Sequence, residues 1–414
     1  MLEFSPLSES VLKEIILINI FGEDKPGLTS SFTDLLAESA VNILDIGQSV
    51  IHDTLSLGVL VELSGQVDSK LVLSAISARI ESLGLGVRFS TISEQSYSHW
   101  VEGQGKSQYI ITLLARQITA EHLSHVTSVV AKYGLNIDNI NRLSDRVPLE
   151  ALSSRTRACV EFSVRGPLDD IAVFRSELLH LASELDVDLA FQEDNKFRRT
   201  RRLVAFDMDS TLIEAEVIDE LAKAAGVGSE VAAITERAMA GEVDFSESLR
   251  QRVALLRGLD ESVLSQISEE LLLTEGAEKL VATLKSLGYK TAILSGGFSY
   301  FGRQLQSKLG IDYVFANELE FVNGKVTGEV TGDIVDGERK AVLLQEIARR
   351  EGIDLQQVIA VGDGANDLPM LSIAGLGIAF RAKPLVKRSA KQAISTLGLD
   401  GILYLLGIGD RHQQ

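Results

Sequence analysis

The chain has 414 residues, 45% of them apolar and only 6 of them proline, which provides for two or three packed cores and excludes a disordered or fibrous protein. With 58 acidic against 40 basic residues its net charge is -18, so neither nucleic acid nor an anionic membrane is expected as a partner. The single cysteine, Cys159, excludes an internal disulfide and suits a reducing, cytoplasmic setting. The N-terminus carries Glu3, Glu9 and Glu14 and no apolar run long enough for a membrane span or a signal segment.

In chain order, one pattern occurs twice in the first half: a β-rich run, a turn, an amphipathic helix, and an Asn-Ile step into another strand. The first copy starts with IILINIF (Ile15 to Phe21) and reaches Asn42-Ile43; the second starts with YIITLLA (Tyr109 to Ala115) and reaches Asn136-Ile137. An alternating strand follows in each, from Thr54 and from Arg157, then a helix (Lys70 to Leu83, Leu168 to Glu184) and a closing strand. Each unit reads βαββαβ, which builds a ferredoxin-like antiparallel sheet with both helices on one face. Cys159 falls in the run ACVEFSV of the second unit and reads as packing rather than as a nucleophile. Ser93 to Ser107, rich in Ser, Gly and Gln, reads as a linker. The basic run from Lys196 to Arg202 reads as a solvated linker into the next region.

From Arg202 onward strands alternate with helices, the pattern of a parallel, Rossmann-like sheet. The expected strands are Leu203 to Asp207, Lys290 to Ser295, Val358 to Gly362 and Leu376 to Phe380. A helical stretch, Glu214 to Glu275, follows the first strand and is placed to cap the strand ends. Asn323-Gly324 marks a hairpin turn. The expected domains are 13–95, 107–193 and 202–410, the last divided into a core (202–213 and 276–410) and a cap (214–275).

Chemistry concentrates at the expected strand ends. Asp207 and Asp209, in Asp207-Met208-Asp209-Ser210-Thr211, reach the carboxyl edge of the sheet, where one carboxylate can attack and the other handle protons; acids there can also simply cap a helix. Ser295-Gly296-Gly297 offers a hydroxyl and close-approaching backbone to a phosphate oxygen. Lys340, after Asp336-Gly337-Glu338-Arg339, brings a cation to the start of a helix. Gly362-Asp363-Gly364-Ala365-Asn366-Asp367 adds carboxylates suited to a hard cation. In the first repeat, Asp24-Lys25-Pro26-Gly27 starts a helix with free backbone N–H groups that suit a small carboxylate, and the same residues can equally form only a tight turn.

The two repeats, roughly residues 13 to 193, resemble the ACT domain, a regulatory module that commonly binds an amino acid. The second copy has Arg116-Gln117-Ile118-Thr119 where the first has its Asp and Pro-Gly, which removes the basis for ligand binding there and leaves it to packing or dimer contact. Residues 202 to 395 resemble the haloacid dehalogenase superfamily in four ordered motifs. That resemblance implies Asp207 as nucleophile and Asp209 as general acid and then base. It implies Mg²⁺ held by Asp207, the Asp209 carbonyl and Asp363, with Asp367 and Thr211 supporting, and a phosphate held by Ser295, Gly296, Lys340 and Asn366. Within the superfamily the cap is similar to that of members acting on O-phospho-L-serine, in which positions matching Glu216, Phe245 and Arg252 meet the amino group, cover the site and bind the carboxylate. The expected reaction is hydrolysis to L-serine and phosphate. The alternatives are a phosphatase or phosphotransferase for another small phospho-amino acid, or an amino-acid sensor with an inert C-terminal half. A homodimer, and L-serine as a regulator near Asp24, Pro26 and Gly27, are further implications of the resemblance.

Overall fold

The computed structural model describes residues 13–39, 41–64, 68–103, 107–148, 150 and 156–413. Glu3 and Glu9 lie outside them. The chain divides into two compact units, Met1–Lys106 and Ser107–Gln414.

The first unit runs β1 (Glu14–Glu23), α1 (Leu28–Glu38), β2 (Asn42–Ile51), β3 (Thr54–Leu63), α2 (Ser69–Ser82) and β4 (Gly86–Ile92), with sheet order β2-β3-β1-β4, all antiparallel. Alternation along β1 and β3 turns Ile16, Ile18, Ile20, Val59 and Val61 inward, where they meet Phe32 and Leu36 of α1 and Ile76 and Ile80 of α2. Gly27 caps α1 at φ 88°, a left-handed conformation that glycine adopts without the penalty of a Cβ. The stretch expected as a plain linker contains a helix, α3 (Glu94–Glu102), because the Ser93 hydroxyl caps it by accepting from Ser96 N–H at 3.1 Å.

The second unit opens with the same order: β5 (Gln108–Ala115), α4 (Ala120–Lys132), β6 (Asn136–Arg142), β7 (Ala158–Arg165), α5 (Ile171–Glu184) and β8 (Asp188–Glu193), in sheet order β6-β7-β5-β8. Cys159 is buried in β7, and burial raises its thiol well above the usual range, in keeping with packing. The unit continues with β9 (Leu203–Phe206), the helices α6 (Val217–Ala225), α7 (Gly228–Met239), α8 (Phe245–Ala254) and α9 (Ser262–Glu270), then α10 (Ala277–Ser286) and β10 (Lys290–Phe298). Next come α11 (Ser299–Leu309), β11 (Tyr313–Val322), β12 (Lys325–Thr331), α12 (Gly337–Glu351), β13 (Val358–Gly362) and α13 (Leu368–Ile373). It closes with β14 (Leu376–Phe380), α14 (Pro384–Ser389), β15 (Gln392–Ile394) and α15 (Ile402–Leu405).

The large sheet has the order β12-β11-β10-β9-β13-β14-β15, parallel except for the β11–β12 hairpin. Every residue of β9, β13 and β14 is buried, as expected for central strands covered on both faces. Helices α6 to α9 form the cap. It leaves and rejoins the sheet through paired backbone: Glu214 N–H donates to Leu272 O at 3.0 Å and Thr274 N–H to Leu212 O at 2.9 Å. The hairpin straps its far side, through Gly258 N–H to Val326 O (2.8 Å) and Val326 N–H to Leu259 O (2.9 Å).

The basic run between the second repeat and β9 is solvated at Lys196, Arg199 and Arg202 but not at its other two arginines. Arg198 and Arg201 are only 6% and 8% exposed. Arg198 pairs with Glu161 of β7, while Arg201 donates to Gln192 Oε1 at 3.3 Å and to Gln356 O at 3.2 Å. Arg201 thus joins the second repeat to the segment that leads into β13, while Arg198 anchors the run on β7. Further joints are the Arg116 fork on Glu275 (2.9 and 2.8 Å) and Gln192 Nε2 on Leu405 O (2.9 Å). Arg116 thus has a packing role at the position where the first repeat has its Asp and Pro-Gly.

Candidate active site

Strand β9 ends at Phe206, and Asp207 continues its direction with its N–H on Val361 O at 2.8 Å. Asp207 and Asp209 are 6% and 8% exposed, and Lys340, in the first turn of α12, is fully buried. The lysine Nζ lies 2.7 Å from Asp207 Oδ1 and 2.7 Å from Asp367 Oδ1. Asp367 accepts from Gly364 N–H at 2.9 Å with its other oxygen, so it holds the lysine and shapes the loop after β13. Thr211 Oγ1 donates to Asp363 Oδ1 at 3.3 Å and aims that carboxylate into the site.

Ser210 follows Asp209 at φ 56°, and its hydroxyl donates to Glu216 Oε1 at 2.7 Å. A non-glycine residue in that region carries strain of about 1–3 kcal/mol, and here the turn presents Asp207 and Asp209 to one cleft. The fit around them is close. A Cβ on Gly297 would lie 2.6 Å from Asp209 Oδ2, and one on Gly362 2.4 Å from Asp367 Cγ. Ser295 Oγ accepts from Gly297 N–H at 2.9 Å, which leaves its own hydrogen free for a ligand.

Electrostatically the site carries more negative charge than its one lysine balances. Burial first, then the Asp367 charge, push Asp207 up to about 8 against the pull of Lys340; burial and Asp367 push Asp363 up to about 7. Lys340 is pulled down by burial, but Asp207 and Asp367 outweigh that and hold it above its ordinary value. Asp209 is raised well above the carboxylate range by burial, then by Glu216 and Asp207, and its Oδ1 is buried without a hydrogen-bond partner. Carboxylate oxygens of Asp207, Asp363 and Asp367 lie within 4.8 Å of one another. An all-oxygen donor set with surplus negative charge fits a divalent hard cation, for which Asp207 and Asp363 are the free ligands, since both oxygens of Asp367 are engaged.

The cap supplies the other wall of a cleft of about 860 Å³ that includes Asp207, Asp209, Ser295, Gly296, Asp363 and Asn366. Glu216, the N-cap of α6, stands at its mouth; as a residue it is exposed, but its carboxyl lies in the crevice, where burial raises it and Ser210 opposes the rise. Phe245, first residue of α8, leans on Gly296, where a Cβ would lie 2.6 Å from its ring. Arg252, in the last turn of α8, donates from Nε to Ser248 O at 3.3 Å; burial lowers it, and the nearby charges of Asp219 and Glu216 oppose this. Asp24, Pro26 and Gly27 belong to the first unit, where Asp24 N–H donates to Asp53 O at 2.7 Å.

Two residues of the site are not legible in the motifs. Asn317 of β11 donates to Gly296 O at 2.8 Å and accepts from Val335 N–H at 2.8 Å, fixing the loop after β10. Its only sequence signal is an amide in an otherwise alternating strand. Asp219 lines the cleft beside Arg252, one helical turn beyond Glu216.

Paired carboxylates at the end of a central parallel strand, a buried lysine and an acidic cluster lie together beneath a helical cap, the layout of a hydrolase built on a Rossmann-like core. The description of haloacid dehalogenase-like hydrolases matches residues 204–372, and ACT domain descriptions match 14–90 and 107–192. The chain is 42% identical over 394 residues to a phosphoserine phosphatase of Streptomyces coelicolor, covering 95% of this chain and 92% of that one. It is 41% identical to a phosphoserine phosphatase of Mycobacterium tuberculosis over 96% of this chain and 94% of the other. Among solved structures, a probable phosphoserine phosphatase from Vibrio cholerae is similar with 36% identity and a TM-score of 0.57 over 75% of this chain and 90% of that one. The chain belongs to the phosphoserine phosphatases, a family of haloacid dehalogenase-like hydrolases, and is a phosphatase with two ACT domains.

Proposed function

We propose that the protein hydrolyses O-phospho-L-serine to L-serine and phosphate through an aspartyl-phosphate on Asp207. The observation that carries this reading is a cleft in which Glu216 and Arg252 of the cap face the Asp207–Asp209 pair: a carboxylate and a guanidinium for a zwitterion, opposite a phosphate site. The names of the relatives point to the same substrate.

In the first step an Asp207 oxygen attacks phosphorus, the P–O bond to the serine side chain breaks, and Asp209 gives its proton to the departing oxygen. Burial, Glu216 and Asp207 all favour the protonated form of Asp209 that this step needs. In the second step the Asp209 carboxylate takes a proton from water as that water attacks phosphorus, and the bond to Asp207 breaks. Lys340 holds Asp207 in place and offsets charge on the phosphoryl oxygens, and the Ser295 hydroxyl, Gly296 and Asn366 orient them. Mg²⁺, held by Asp207, the Asp209 carbonyl and Asp363, would neutralise phosphoryl charge when bound. Phe245, at the mouth beside Gly296, excludes water.

The test is phosphate release from O-phospho-L-serine with Mg²⁺ and with EDTA, beside phosphothreonine, p-nitrophenyl phosphate and a sugar phosphate. A strong Mg²⁺-dependent preference for phosphoserine is expected; equal activity on the others removes the substrate assignment.

The first repeat enters the same reading as a site for L-serine near Asp24, Pro26 and Gly27, supported by the helix start at Gly27 and checked by serine calorimetry on the whole chain with and without Asp24→Ala. A homodimer is supported by the apolar residues exposed on β2, Ile46, Val50 and Ile51, and on β6, Ile140; sedimentation measures it. The expected setting is the cytoplasm. Among the described residues no helix is long and apolar enough to cross a membrane.

A further inference from the structure

A second cavity, of about 790 Å³, lies between the second repeat and the far edge of the large sheet, away from the catalytic carboxylates. That volume is in the range of small-molecule sites. One wall is α5 and the start of β8; the other is α14 and the segment around β15. Four cations line it: Arg175 of α5, Lys387 and Arg388 in the last turn of α14, and Lys391. Among the described residues none of the four has a carboxylate within ion-pair distance. Arg175 Nε and Ser395 Oγ are shut off from solvent with no hydrogen-bond partner, and Lys391 Nζ donates only to Ala374 O, at 3.0 Å.

The acids in the walls do not cancel this charge. The oxygens of Asp188 are taken up by Ser395 N–H (2.8 Å), Thr396 N–H (2.8 Å) and the Thr396 hydroxyl (2.5 Å), and its charge is felt by Lys387, so Asp186 and Asp188 together stand against four cations. Burial lowers Arg175, and burial followed by repulsion from Arg175 and Arg201 lowers Lys391. In a chain of net charge -18, four cations without an ion-pair partner gathered around one hollow, with an idle guanidinium N–H and hydroxyl in its walls, call for an anion.

We propose that this cleft binds a phosphoryl anion, either orthophosphate or a phosphate-bearing metabolite, held by Arg175, Lys387, Arg388 and the Ser395 hydroxyl. A zwitterionic amino acid fits less well, because with the Asp188 oxygens engaged Asp186 alone remains for its ammonium group. The site is next to the catalytic one through α14: Leu385 and Val386 line the catalytic cleft, and the adjoining Lys383 reaches Met239 of the cap at 3.5 Å. An anion that draws in Lys387 and Arg388 therefore bears on a helix of six residues that also walls the catalytic cleft.

The experiment is calorimetry on the full chain in EDTA, titrated with orthophosphate and with pyrophosphate, for the unsubstituted protein, Lys387→Ala with Arg388→Ala, and Arg175→Gln. Binding is expected to weaken at least about 10-fold in both variants, while each retains phosphoserine turnover within about twofold. Tighter pyrophosphate marks a metabolite as the ligand, and tighter orthophosphate marks the free anion. Absence of binding heat from both probes, or equal affinity in the variants, as for an anion held in the catalytic cleft, overturns the proposal. Lys387 and Arg388 lie at the end of a surface helix, so the double variant carries the test if Arg175→Gln folds poorly.

Discussion

The core and the cap contribute to one cleft by different physical means. In the core, Asp207, Asp367 and Lys340 are buried, Lys340 bonds each acid at 2.7 Å, and Asp207 N–H is held by Val361 O of the neighbouring strand. In the cap, Glu216, Phe245 and Arg252 sit on helix termini, partly open, and Arg252 has one long bond to a carbonyl. The difference separates the tasks. Rigid, charged, desolvated groups suit bond breaking, and adaptable groups on a strapped helical layer suit recognition of a small zwitterion. It also implies that damage to the core costs both activity and stability, whereas damage to the cap costs discrimination.

The sharpest break of that contrast is Asp207→Asn. Turnover of phosphoserine should fall by on the order of 10⁴ to 10⁶, measured as phosphate release under substrate saturation, with the chain still folded. Lys340→Met should cost stability as well as activity. It strands Asp207 and Asp367 in a buried site, and a loss of about 3–5 kcal/mol should appear in the urea midpoint.

Arg252→Gln tests the other side. It should lower kcat/KM for phosphoserine about 10- to 100-fold while leaving p-nitrophenyl phosphate hydrolysis and the urea midpoint nearly unchanged. Equal losses on both substrates would assign Arg252 to the phosphate rather than to the amino-acid end.

Two smaller effects follow from titration. Asp207 and Asp363 are raised in the folded, metal-free protein to about 8 and about 7, above the ordinary carboxylate range. A raised carboxyl stabilises the fold at low pH and loses that contribution as pH rises through its folded value. The metal-free protein should therefore lose stability between about pH 4 and pH 8, while a divalent cation, which needs both carboxylates ionised, should raise Tm more at pH 8 than at pH 6. Calorimetric scans with Mg²⁺ and with EDTA check the sign. Smallest is Glu216→Gln: with the second cause of the high Asp209 value removed, the alkaline limb of kcat/KM should move to lower pH.

Much of this was readable in the text of the chain. Asp207, Asp209, Ser295, Lys340 and Asp363 stand at strand ends or helix starts, and those places are marked by a switch from a β-rich run to glycine or a capping acid. The βαββαβ repeats were equally plain, because buried alternation on strands and periodic helices leave a regular apolar signal. Asn317 was not, since its role is to bond Gly296 and Val335, which lie far from it in sequence. Nor was the fate of Arg198 and Arg201: a basic run has the same letters whether solvent or Glu161 and Gln192 receive it. The helix at Glu94–Glu102 escaped a compositional reading because one capping serine outweighed its polar makeup.

The sequence by itself determined the order of elements, the nature of the two repeats and the class of chemistry, because these follow from local periodicity and from residue types held at fixed offsets in one chain. Only the tertiary structure decided that Asp367 is spent on Lys340 and Gly364, that the hairpin straps the cap, and that Arg175, Lys387 and Arg388 surround one hollow. Those depend on which distant groups are brought within hydrogen-bond or Coulomb range and which lose their water, and both quantities exist only once the elements have packed.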